Sequence, residues 1–100
     1  MKIRDYLTKI QSLIEIAEIK RINSGGDEMY DCIQDDLRVL FYDFYDEDNE
    51  DWMNNEVDEF SINQLKEIEL NLLTYVPEET QKYINSLKMI WVCEVKYERN

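Results

Sequence analysis

The sequence predicts an all-α fold: a small antiparallel bundle of four to five helices in which residues 1–100 form a single acidic domain. Three observations predict it. Apolar residues recur at three- and four-residue spacing through most of the chain, as a period of 3.6 requires. The breaks in that pattern carry turn and capping residues instead of long linkers. A chain that is 44% apolar with twelve aromatics also has enough material for one core at this length, in spite of its charge.

The first element is a helix from Ile3 to about Ile22, with Ile3, Tyr6, Leu7, Ile10, Leu13, Ile14 and Ala17 on one face. Ile16, Ile19 and Ile22 fall off that stripe, so the helix is expected to touch something on both sides. Either another part of the chain covers them, or Ile16 and Ile19 form a dimer contact. Ser24-Gly25-Gly26 then makes a turn between helices.

A second helix starts near Asp27, which is placed to cap it, and the early acids Glu28 and Asp31 suit its N-terminal dipole. Its stripe is Tyr30, Ile33, Leu37, Leu40, Phe41 and Phe44. Glu28, Asp35, Val39, Tyr42 and Asp46 lie opposite, which gives an acidic outer face with an aromatic in it. The competing reading is an α+β fold with strands near 37–45 and 89–97, because Val39 to Tyr45 is rich in sheet formers and Trp91, Cys93, Val95 and Tyr97 alternate.

Residues 46–51 are too polar for the core and read as a loop or a frayed helix end, after which Trp52, Met53, Val57 and Phe60 resume helical spacing for about two turns. Ser61 and Gln64 fit a capping box, with Phe60 and Leu65 as the hydrophobic staple around it. The helix that starts there should bury Ile62, Leu65, Ile68, Leu72, Tyr75 and Val76, with Glu69 at the edge. It should end before Pro77. Proline in a first turn, followed by Glu78 and Glu79, opens a last helix, with Tyr83, Ile84, Leu87, Ile90, Trp91 and Val95 as its core face.

Charge is distributed unevenly over these elements. Residues 27–59 hold fourteen carboxylates and one basic residue, Arg38, a formal −13; the other 67 residues carry ten basic and nine acidic side chains. Strong acidity disfavours direct binding to nucleic acid or to an anionic membrane surface, since phosphate contacts need Lys and Arg. It favours a basic protein partner. No apolar run approaches the roughly 20 residues of a membrane span, and the N-terminus lacks signal-peptide character, so a cytoplasmic location is expected. Cys32 and Cys93 are expected to be reduced, half-buried thiols.

Several chemistries find no residues to carry them. Without histidine there is no Ser-His-Asp or Cys-His arrangement and no usual zinc ligand set. Gly25-Gly26 lacks the lysine and spacing of a phosphate-binding loop. The run from Asp46 has Asp51 where an EF-hand needs glycine and Val57 where it needs glutamate. So many acids also make any single pair uninformative as glycosidase carboxylates. No catalytic, cofactor-binding or metal residues are therefore assigned, no cofactor is called for, and the chain is expected not to be an enzyme.

The plain reading of the acidic stretch is a solvated face that aids solubility. Against it stands the self-repulsion of thirteen net charges on a third of the chain, a cost that a basic partner would offset. The residues expected to meet that partner are Asp35, Tyr42, Asp43, Tyr45, Asp46, Glu47, Asp48, Glu50, Asp51, Trp52, Glu56, Asp58 and Glu59. The aromatics would supply anchors and the carboxylates a field that imitates nucleic acid. The expected function is that of a stoichiometric inhibitor of a nuclease, a toxin domain or another nucleic-acid-processing protein, as in the immunity protein of a nuclease toxin or a phage-type anti-defence protein. The alternative is a structural or regulatory adaptor that forms a homodimer through its first helix.

Overall fold

A computed structural model describes residues 1–45, 50–83 and 85–87. Its elements are α1 (Ile3–Asn23), α2 (Glu28–Phe44), a 3-10 segment (Glu50–Asn54) and α3 (Glu59–Thr74). Residues 78–83 and 85–87 are helical as well. The fold is all-α. Among the described residues extended pairing is confined to one antiparallel bridge between Lys2 and Glu56. The strand alternative fails at 37–45, because α2 runs through to Phe44; 89–97 lies outside the described residues.

Helix α1 buries Ile3, Tyr6, Leu7, Ile10, Leu13 and Ala17, with Ile14 half-buried beside them. It ends in a tight turn. The Gly26 N–H donates to the Arg21 carbonyl (2.8 Å) and the Gly25 N–H to the Ile22 carbonyl (3.1 Å), with Gly25 at φ 77°, so two carbonyls left over at the helix end are satisfied by a left-handed glycine. Ser24 Oγ accepts from the Asp27 N–H, and Asp27 in turn caps α2 by accepting from the Met29 N–H at 2.9 Å. Four residues thus reverse the chain, and α2 lies antiparallel to α1.

Helix α2 buries Tyr30, Ile33, Leu37 and Leu40, with Phe41 and Phe44 half-buried. Rings join the elements at both ends of the bundle. Tyr6 meets Phe44 edge-on at 5.2 Å, and Tyr30 meets Tyr75 edge-on at 5.3 Å. Helix α3 therefore also runs antiparallel to α2. It is parallel to α1, with Lys9 paired to Glu69 at 3.2 Å and Lys20 Nζ donating to the Leu72 carbonyl at 2.9 Å. Leu65 and Leu72 are buried, while Ile62, Ile68 and Tyr75 pack partly against the core. Tyr75 and Pro77 terminate α3 as the proline rule requires.

Five expectations are corrected. Ile19 and Ile22 are 58% and 64% exposed and Ile16 stands at the surface, so the described residues do not cover them. Trp52 to Phe60 is not a two-turn helix: a 3-10 turn stops at Asn54, and 55–58 is non-helical. Helix α3 starts at Glu59, and its cap is Asp58, which accepts from both the Ser61 N–H (2.7 Å) and the Ser61 hydroxyl (2.9 Å). Phe60 is consequently 71% exposed and forms no staple. A carboxylate binds the orphan N–H groups and the dipole more strongly than a serine hydroxyl, which is why the cap lies three residues earlier. Finally, Tyr83 and Leu87 are exposed and not core; Ile84, Ile90, Trp91 and Val95 lie outside the described residues. Cys32 is a free thiol on the surface and not half-buried, and Cys93 lies outside the described residues.

Candidate functional site

The acidic stretch does not fold into one uniform surface. Several of its carboxylates have structural duties. Asp27 caps α2 and accepts from the Tyr75 hydroxyl at 3.0 Å; Asp58 caps α3. Glu56 pairs with the Met1 ammonium at 2.9 Å, and that hydrogen bond holds its carboxyl below the ordinary range. The bonds from the Ser61 backbone and hydroxyl do the same for Asp58. Asp31 lies 3.6 Å from Arg21, and Asp35 is 3.0 Å from Arg38. These are exposed pairs and contribute little on their own.

Among the described residues most of the stretch's unpaired acids form a coherent arc on α2. By helical geometry Asp36, Asp43, Val39, Glu28, Asp35 and Tyr42 follow one another around roughly a third of the circumference, starting at the edge that faces α3. All but Asp35 are free of ion pairs among the described residues. Tyr42 is 69% exposed and Val39 60% exposed. The pattern of the sequence places Asp35, Val39 and Tyr42 there because Leu37 and Leu40 point inward, which obliges residues two positions away to point out.

Tyr42 has support from below. Its ring meets Phe41 edge-on at 5.7 Å, Phe41 stacks on Tyr45 at 5.4 Å, and Tyr45 meets Trp52 edge-on at 6.4 Å. Four rings thus run from the exposed surface to the core. Such packing limits the rotamers that Tyr42 and Tyr45 can adopt, which reduces the entropy lost when they are immobilised by a partner.

The predicted binding residues therefore separate. Tyr42, Asp43, Tyr45 and Glu59 are at the surface, as is Asp35 with its Arg38 partner; Glu56 and Asp58 are at the surface but engaged. Trp52 is corrected: it is only 8% exposed and belongs to the core cluster. Glu50 and Asp51 contribute backbone to the 3-10 turn. Asp46, Glu47 and Asp48 lie outside the described residues.

Sequence reasoning missed two features. Gln34 is buried, with Nε2 donating to the Ile14 carbonyl and to Glu18 Oε2, each at 3.1 Å. Together with Arg21, which has the larger effect, it holds the Glu18 carboxyl low. The available signal was a glutamine at the rim of the apolar stripe. The second is a groove between α2 and α3 lined by Asp36, Val39, Leu40, Gln64, Glu67 and Ile68. It could be found only after the two helices were paired.

Among the described residues no helix is long and apolar enough to cross a membrane. Comparison with protein-family models, with curated proteins and with solved structures found no match to this chain.

Proposed function

We propose that this protein is a stoichiometric inhibitor that covers the nucleic-acid-binding surface of a basic protein with the acidic arc of α2, in the manner of an immunity protein for a nuclease toxin or a phage-type anti-defence inhibitor. The observation that carries the reading is Tyr42: a large ring held 69% exposed on a supporting stack, in an arc of carboxylates of which only Asp35 is paired among the described residues. An aromatic anchor inside a charged rim is the composition of a binding surface, and a solubility surface has no use for the ring. The chain fits a cytoplasmic partner and needs neither cofactor nor catalysis for this role.

The test is capture of the partner from the source cell, or trial of the products of neighbouring genes, followed by kinetics. Tyr42→Ala should speed dissociation by an amount corresponding to about 2 kcal/mol or more, whereas reversing the charges of Asp46, Glu47 and Asp48 should slow association at low salt. A partner whose contact surface is neutral or acidic would overturn the proposal.

A second reading is favoured by the exposure of Ile19 and Ile22 together with Ile16: an adaptor that dimerises through α1. Replacing Ile16 and Ile19 with Lys should then give a folded monomer. A wild-type chain that sediments as a monomer at high concentration disposes of this reading.

A further inference from the structure

The groove between α2 and α3 is an open depression of about 270 Å³. That is at or below the roughly 300–1,000 Å³ of pockets that enclose small molecules, and it spans little more than one helical turn on either side. Its dimensions suit one large side chain. Its floor is apolar: Leu40 and half-buried Ile68, with Val39 forming an exposed wall. Its walls are also acidic, with Asp36 on α2 facing Glu67 on α3, and no Lys or Arg among the described residues pairs with either. One turn further along, Asp43 continues the α2 edge, and exposed Phe60 lies on the Gln64 face of α3.

We propose that this groove docks a cationic helix of the partner protein, which inserts one large aliphatic side chain between Val39, Leu40 and Ile68 while lysines or arginines on either side of it meet Asp36 and Glu67. Two antiparallel helices leave a valley in which a third can lie with its ridge in the groove, and the lack of counter-charges among the described residues selects a basic occupant. A second copy of this chain, with a net charge of −12, would bring like charges together here. The inference rests on the inhibitory reading above and adds to it the chemistry of the contacting segment. It also explains the exposed Val39, which Tyr42 alone would leave without a role.

The experiment uses the full chain and two synthetic lysine-rich amphipathic peptides of about four turns, identical except that one carries a central leucine and the other serine. Binding is followed by calorimetry and by amide chemical shifts. The leucine peptide should bind one-to-one, with the largest shifts at Val39, Leu40, Gln64 and Ile68, and should bind about tenfold or more tightly than the serine peptide. Val39→Ser, at an exposed position, should remove most of that preference, and Asp36→Asn with Glu67→Gln should weaken both peptides. Equal binding of the two peptides, or no binding of the leucine peptide, would overturn the groove proposal. Neither result decides the inhibitory reading, which is judged separately by the charge of the captured partner and by Tyr42→Ala.

Discussion

The two seams that α2 makes are built differently. Against α1 it is packed along most of its length, with Tyr6 on Phe44 at one end, Ile10, Leu13 and Leu37 fully buried in the middle, Gln34 reaching the Ile14 carbonyl and Arg21 near Asp31 at the other end. A smaller depression of about 190 Å³ remains beside Phe41 and Tyr45. Against α3 it leaves a groove. The cause lies in the facing residues. Ala17 and a series of aliphatics allow α1 to approach closely, whereas Asp36, Gln64 and Glu67 keep their hydration only if α3 stands off on that side. One helix thus has an edge completed by its own chain and an edge left for solvent or a partner.

The sharpest way to break this comparison is to truncate a side chain in the closed seam. Leu37→Ala removes a fully buried residue and should cost about 2–5 kcal/mol in urea or thermal unfolding, a large part of the total stability of a domain this size. A cost no greater than that of a surface change would mean that the seam is not tightly packed.

Gly25→Ala tests the turn that sets the closed seam. Nothing stands near the position a Cβ would occupy, so any loss comes from the left-handed backbone alone, about 1–2 kcal/mol. A neutral result would show that the turn has an alternative conformation of equal energy.

Tyr6 joins the two seams, since its buried hydroxyl donates to the Ser61 carbonyl at 3.1 Å. Burial, aided by the Asp58 and then the Asp43 carboxylates, pushes its ionisation up to about 12. In the unfolded chain it ionises near 10. The folded state therefore holds this proton more tightly; the associated stabilisation is intact below pH 10 and is lost as the pH rises through 12. Tyr6→Phe should cost about 1 kcal/mol at neutral pH and flatten most of the alkaline loss, with absorbance titration of the phenols as the check. Burial also raises Tyr30 and Tyr75, so part of the slope should remain.

The smallest effect belongs to the open seam. Val39→Ser should change stability by no more than about 0.5 kcal/mol, because the side chain is mostly in solvent. A larger loss would mean that the groove is part of the core, and would remove the contrast between the seams.

What the sequence determined by itself is local. The extents of α1 and α2, the Gly25-Gly26 reversal, the Asp27 cap and the end of α3 before Pro77 follow from contacts between residues a few positions apart, and so does the outward placement of Tyr42 and the acids of α2. The tertiary structure decided whatever depends on residues 16 to 55 positions away. Lys2 gives α1 no side-chain cap, and the first N–H of that helix, on Ile3, instead donates to the Asn55 carbonyl at 2.9 Å. Trp52 reads as an interface aromatic until the core closes over it. Ser61 reads as a cap until Asp58 takes that place and Ser61 is buried under Tyr6. Periodicity likewise marks Leu40 and Ile68 as core without revealing that acids flank their junction, because a groove belongs to two helices at once and its residues are adjacent only after packing has paired them.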